Sequence, residues 1–284
     1  MVTYGRNDVS MSEIVEAHLR FLRAERQSGE TIYARERLLL RLHEVLSFGI
    51  AYASTDELEA WLVSDPSWSA WTQSTYAMHI RAFYQWARGR FLTEDPTLDM
   101  AKPKRPDLVP KPVTEEQLAI ALDRSAEPWR TLIILAAFAG LRASEAAGVR
   151  REHVNKDRIW IPNAKGGSPA SVDTHPFVWR IAAPRPPGPL AQRASGLPVN
   201  GKWIGKHGRA HFDGIGLPGV TLHWFRHRFG TALLDGGNDL RTVQEAMRHR
   251  SVTSTQGYTL VSGGQRRLAI KSLPAPEPQN PDEN

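Results

Sequence analysis

Breaking a phosphodiester without a metal takes fixed cations around the non-bridging oxygens, a nucleophile, and an acid for the departing oxygen. Arginine suits the first role, because its planar guanidinium pairs bidentately with phosphate and keeps its charge. The second half of the sequence carries these residue types in short segments. In Gly140-Leu-Arg142-Ala-Ser-Glu145 an arginine follows a strongly apolar run, and Glu145, three residues on, can orient it across a helical turn. An ordinary surface Arg–Glu pair has the same spacing. In Thr221-Leu-His223-Trp-Phe-Arg226-His227-Arg228, His223 and Arg226 share one helix face, the first able to pass a proton and the second carrying fixed charge. His223 and His227 have the spacing of a metal pair, but no glutamate lies between them and no third ligand is evident. Neither a metal nor a cofactor is therefore expected. Met247-Arg248-His249-Arg250-Ser251 is followed, nine residues after the histidine, by Tyr258. Flanked by Gly257 and Thr259 and outside any apolar periodicity, this tyrosine is a poor core residue. Taken singly, each segment also has a bland explanation as solvated surface.

Hydrophobic periodicity outlines the elements that must position these groups. Ile14, Ala17, Leu19, Phe21 and Leu22 recur with helical spacing up to a stop at Gly29. Thr31 can cap a second helix through Leu38, Leu39, Leu42 and Leu46, and Thr55 opens a third through Trp61 and Leu62. A fourth runs from about Ser67 to Arg88. Residues 95–113 hold five prolines and four basic groups and predict an extended linker. The capping box Thr114-Glu-Glu-Gln117 opens a second domain, and the apolar helix Trp129 to Phe138 ends at Gly140. Two strands are expected over Arg158–Ala164 and Ser171–Phe177, around a turn at Gly166-Gly167. Residues 182–219 give little signal, and helical patterning returns at Thr221–Leu234 and Asp239–Met247. The expected fold is mostly α with a small β-sheet. It comprises a helical bundle over 1–94, the linker 95–113, a mixed α/β domain over 114–262, a short amphipathic helix at 263–273 and a disordered acidic tail at 274–284.

Charge divides unevenly between these parts. Residues 1–100 carry 10 Lys+Arg against 14 Asp+Glu, a net of −4; the rest carry 26 against 16, a net of +10. A basic surface of that size favours a polyanion such as nucleic acid. The absence of cysteine excludes disulfides, zinc-thiolate sites and thiol catalysis. The start has no apolar signal-peptide core, and the longest apolar run, Thr131 to Leu141, is too short for a bilayer. A cytoplasmic protein with no membrane partner is expected.

In order and at compatible spacing, GLRASE, HWFRH, RHRS and GYT resemble the signature boxes of the tyrosine recombinases, the phage integrase family, across about residues 115–262. The resemblance implies a helical domain and a mixed α/β catalytic domain of that family's type. It implies that Arg142 and Arg226 clamp the scissile phosphate, that His223 assists proton transfer and that His249 hydrogen-bonds the phosphate. Tyr258 would attack to give a 3′-phosphotyrosine. Lys165, on the turn between the strands, would match the family's mobile lysine that protonates the departing 5′-oxygen, although a solvated hairpin lysine fits the same place. Glu145 would support the clamp from behind. Two departures stand out: Arg248 replaces the glycine usual before the box histidine, and the helical domain starts almost at once, as in small integrases without an arm-binding domain. The implied activity is site-specific recombination through a Holliday junction, in phage or mobile-element integration and excision. The implied partners are double-stranded DNA with inverted half-sites and a homotetramer, the two domains closing around one duplex. DNA-contact candidates are Arg81, Arg88, Arg90, Lys102, Lys104, Arg228, Arg248 and Arg250. A type IB topoisomerase or a non-catalytic site-specific DNA-binding protein are the competing readings.

Overall fold

In the computed structural model, which describes residues 11–106, 111–164 and 168–248, serines start three of the first helices. Ser28, Ser54 and Ser69 each accept the backbone N–H three residues ahead, and so satisfy a donor that the first turn leaves open. The helices of this unit are α1 (Met11–Ala24), α2 (Gly29–Val45), α3 (Thr55–Val63) and α4 (Ala70–Ala87). At Ser54 the Glu57 carboxylate returns the bond to the cap N–H, closing a capping box. These caps revise the expected boundaries. Gly29 begins α2 instead of stopping α1, whose chain reverses at Arg26 in the left-handed region (φ 57°). Thr31 lies inside the first turn of α2, bonded to the true cap.

The helices pack Leu22, Leu39, Leu42, Leu58, Ile80 and Phe83 into one core, and the buried Tyr84 hydroxyl donates to the Ile50 carbonyl at 2.6 Å. The proline-rich stretch is not free from its start. The Pro96 carbonyl accepts from Thr55 Oγ1 at 2.7 Å, the Ala101 N–H donates to Glu59 at 2.6 Å, and Met100 is buried. The chain divides into two compact units, Met1–Asp107 and Leu108–Asn284.

The second unit is organised around α6 (Trp129–Ala139), buried on nearly every side as its unbroken apolar sequence requires. Against it pack α5 (Glu115–Arg124), α7 (Ala143–Gly148), α8 (Pro176–Ala182) and, most extensively, α10 (Leu222–Asp235), which also meets α11 (Leu240–Met247). Thr114 and Gln117 form the expected capping box of α5. The strands β1 (Arg158–Ile161) and β2 (Ala170–Asp173) pair antiparallel, Arg158 opposite Asp173 and Ile161 opposite Ala170. Both are shorter than expected. Pro162 follows β1 and has no N–H for a ladder, while Pro176 opens α8 with His175 as its cap, so His175 and Phe177 belong to a helix start.

Helix α9 (Gly201–Gly214) falls in the stretch whose sequence gave little signal. Its four glycines depress helix propensity. Tertiary packing overrides that: Asn200 caps Trp203 N–H at 2.8 Å, Ile204 and Phe212 are buried, and at Gly208 the Trp129 ring lies 3.6 Å from where a Cβ would stand. Among the described residues no helix is long and apolar enough to cross a membrane. The mostly helical fold with a two-stranded sheet is the one the sequence predicts.

Candidate active site

The end of α6 sets the geometry. Gly140 takes a left-handed conformation (φ 61°), and an added Cβ would meet the Phe229 ring of α10 at 2.5 Å. Only glycine fits both constraints. The turn delivers Arg142 to the cap of α7, where its N–H donates to Glu145 Oε2 at 2.8 Å and its Nη1 to Glu145 Oε1 at 3.0 Å. Glu145 is 3% exposed. Burial pushes its carboxyl pKa up, but the Arg142 N–H and the Arg248 and Arg142 guanidiniums outweigh that and hold it below the ordinary carboxylate value. It is therefore an ionised carboxylate at neutral pH.

Arg226 enters the same place from α10 and is 1% exposed. Its Nη1 donates to the Gly140 carbonyl and its Nη2 to the Met247 carbonyl at 2.6 Å, so it ties the end of α6 to the end of α11. A charge buried this deeply persists only with such oriented dipoles around it. Arg142 reaches the same end of α11, its Nη2 lying 3.5 Å from the Arg248 carbonyl.

His223 stands one turn before Arg226 on α10, its surface open to solvent and its ring 4.5 Å from that of His227. Partial burial, then Arg226, then Arg142 lower its pKa below the ordinary imidazole value. The imidazole is consequently neutral at pH 7 and can take up or relay a proton. The arrangement offers two guanidiniums held by backbone carbonyls and a carboxylate, with a neutral imidazole beside them. That is a setting for a phosphate oxyanion. Among the described residues no group of three or more His, Asp or Glu could hold a metal ion.

The phage integrase family model matches residues 202–263, an interval that spans His223, Arg226, His249 and Tyr258. The chain is 31% identical over 213 residues to tyrosine recombinase XerC of Rhodospirillum centenum, covering 66% of this chain and 61% of that one. It is 26% identical to tyrosine recombinase XerC of Rickettsia felis, covering 90% and 94%. Residues 202–263 therefore form a phage integrase family domain, and the relatives of the chain are tyrosine recombinases. Its fold is also that of a lambda integrase dimer bound to a COC′ core site, with a TM-score of 0.71 over 88% of this chain and 95% of that one at 12% identity.

Of the family positions singled out in the sequence, the structure gathers Arg142, Glu145, His223 and Arg226. Lys165, His249, Arg250 and Tyr258, with the segments 263–273 and 274–284, lie outside the described residues. The DNA-contact candidates are dispersed. Lys102, Lys104 and Arg88 are exposed. Arg90 lies over the Phe21 and Trp86 rings, and Arg81 donates to the Met100 and Ala101 carbonyls. Arg228 makes a two-pronged pair with Glu115 at 2.8 and 3.0 Å. Arg248 turns inward, onto Glu145 at 2.8 Å. Sequence reasoning missed two parts of the site, the Gly140 and Met247 carbonyls that hold Arg226. Main-chain groups leave no mark in residue types, though Gly140 at the end of an apolar helix was a signal for the first.

Proposed function

We propose that the chain cleaves and rejoins double-stranded DNA at specific sites, with Tyr258 as nucleophile. The observation that carries this reading is the convergence of Arg142, Arg226 and neutral His223 on one spot, tied by Arg226 to the carbonyl of Met247, where the RHRS segment begins. In this mechanism the Tyr258 oxygen attacks phosphorus, a phosphorus–tyrosine bond forms and the bond to the 5′-oxygen breaks. Lys165 donates a proton to that oxygen, and neutral His223 takes up the proton that the Tyr258 hydroxyl releases. Arg142 and Arg226 stabilise the added negative charge of the five-coordinate transition state, and His249 hydrogen-bonds a non-bridging oxygen. The new bond conserves the energy of the old one, so a strand from a second site can reverse the step without nucleotide hydrolysis.

The substrate in this reading is a pair of inverted half-sites around a short crossover. Four protomers assemble on two such sites and pass through a Holliday junction, in integration and excision of a phage or other mobile element. The test is a suicide substrate nicked near the cleavage site. Wild-type protein should accumulate a covalent adduct, and Tyr258→Phe should bind the site equally well and give none. An adduct at wild-type level from the Phe variant removes Tyr258 from the role, and relaxation of supercoils with no site requirement points instead to a topoisomerase.

A further inference from the structure

Glu145 serves two guanidiniums. Its Oε1 accepts from Arg142 Nη1, while its Oε2 accepts both the Arg142 N–H and, at 2.8 Å, Arg248 Nη2. Arg248 reaches it from the end of α11 in a left-handed conformation (φ 53°, ψ 47°), which glycine adopts freely and a side chain disfavours. Once there, its Nε and Nη1 are buried and find no hydrogen-bond partner among the described residues. Burial and the nearby Arg142 both lower its pKa, against the pull of Glu145. A strained backbone, unmet donors and a like charge nearby are all unfavourable, and a glycine here would remove all three.

What the arginine gains is a change in the charge of the cluster. Arg142 and Glu145 alone form a closed pair with no net charge. With Arg248 sharing the carboxylate, the trio is net positive, and Arg142 is less fully neutralised by its own support. We propose that Arg248 is a positioning residue for strand cleavage, sharing Glu145 with Arg142 so that the Arg142 guanidinium keeps its positive potential for the phosphate. This rests on the recombinase reading above, and it assigns to Arg248 a role inside the site instead of on the DNA surface.

The experiment compares single-turnover cleavage of a nicked site with affinity for the same duplex. Arg248→Gln and Arg248→Gly should each slow cleavage by about tenfold, with affinity within about twofold of wild type. The glycine variant relieves the backbone and guards against a misfolded result. Arg248→Lys, which keeps the charge, should recover part of the rate. Glu145→Gln should slow cleavage by itself, and on that background Arg248→Gln should cause no further loss. Wild-type rates in both Arg248 variants would overturn the proposal. So would an equal loss with and without Glu145, or a fall in affinity matching the fall in rate, since either makes Arg248 a direct DNA contact. Wild-type protein that forms no adduct at all would sink the recombinase reading first and this role with it.

Discussion

In the helical unit His18 is 1% exposed among the rings of Phe21, Phe83 and Trp86, and neither ring nitrogen finds a hydrogen bond among the described residues. Burial, helped by Arg35, lowers its pKa to about 4, so it packs as a neutral aromatic. In the second unit Glu145 and Arg226 are buried as deeply, yet the carboxylate is held ionised by N–H donors and the guanidinium by carbonyls. One core removes charge and the other preserves it. Ionised groups in a dry site act strongly on a substrate because water neither screens them nor must be reorganised. The second unit therefore carries electrostatics prepared for an anion, and the helical core does not.

The largest effect expected from breaking this contrast lies at Arg226. Arg226→Ala removes a preorganised cation and should slow cleavage by about 10²–10³-fold, with duplex affinity affected much less. Equal losses in rate and affinity, measured by single-turnover kinetics and titration, would reduce Arg226 to a binding contact. A substrate with sulfur at the 5′-bridging position needs no proton on its leaving group, so it should rescue Lys165→Ala and not Arg226→Ala. Failure of that rescue moves the acid role away from Lys165.

Gly140→Ala should act through the scaffold. The left-handed backbone and the Phe229 ring in the way should together cost about 2–4 kcal/mol in urea unfolding. Cleavage should fall too, because the same turn aims Arg142. A change within about 0.5 kcal/mol would show that the turn yields freely.

His18 sharpens the other side. Its folded pKa is depressed, so the stability it contributes is fully present above the unfolded value of 6.5 and is lost as pH falls through about 4. At pH 5 the loss should be about 2 kcal/mol, and His18→Leu should flatten stability against pH over that window. An unchanged slope in the leucine variant would place the titration elsewhere.

Local chemistry made much of this legible without a structure. The apolar run of α6, the Thr114–Gln117 box and the Arg142–Glu145 spacing each depend on residues within a few positions of one another, so pattern suffices. The family boxes added the order of the site residues. Helix α9 was hidden because its four glycines argue against a helix until Trp129 packs onto it, and the ends of β1 and β2 because Pro162 and Pro176 cut short runs whose composition reads as strand. Long-range placement was decided only by the tertiary structure. Residue type could not say that Arg226 would be fully buried between the carbonyls of Gly140 and Met247, or that Arg228 would be taken by Glu115. Nor could it say that Arg248 would turn in to share Glu145, 103 residues away. The sequence determines which charges are present; whether each meets solvent, a partner or an anion depends on which distant backbone the fold brings beside it.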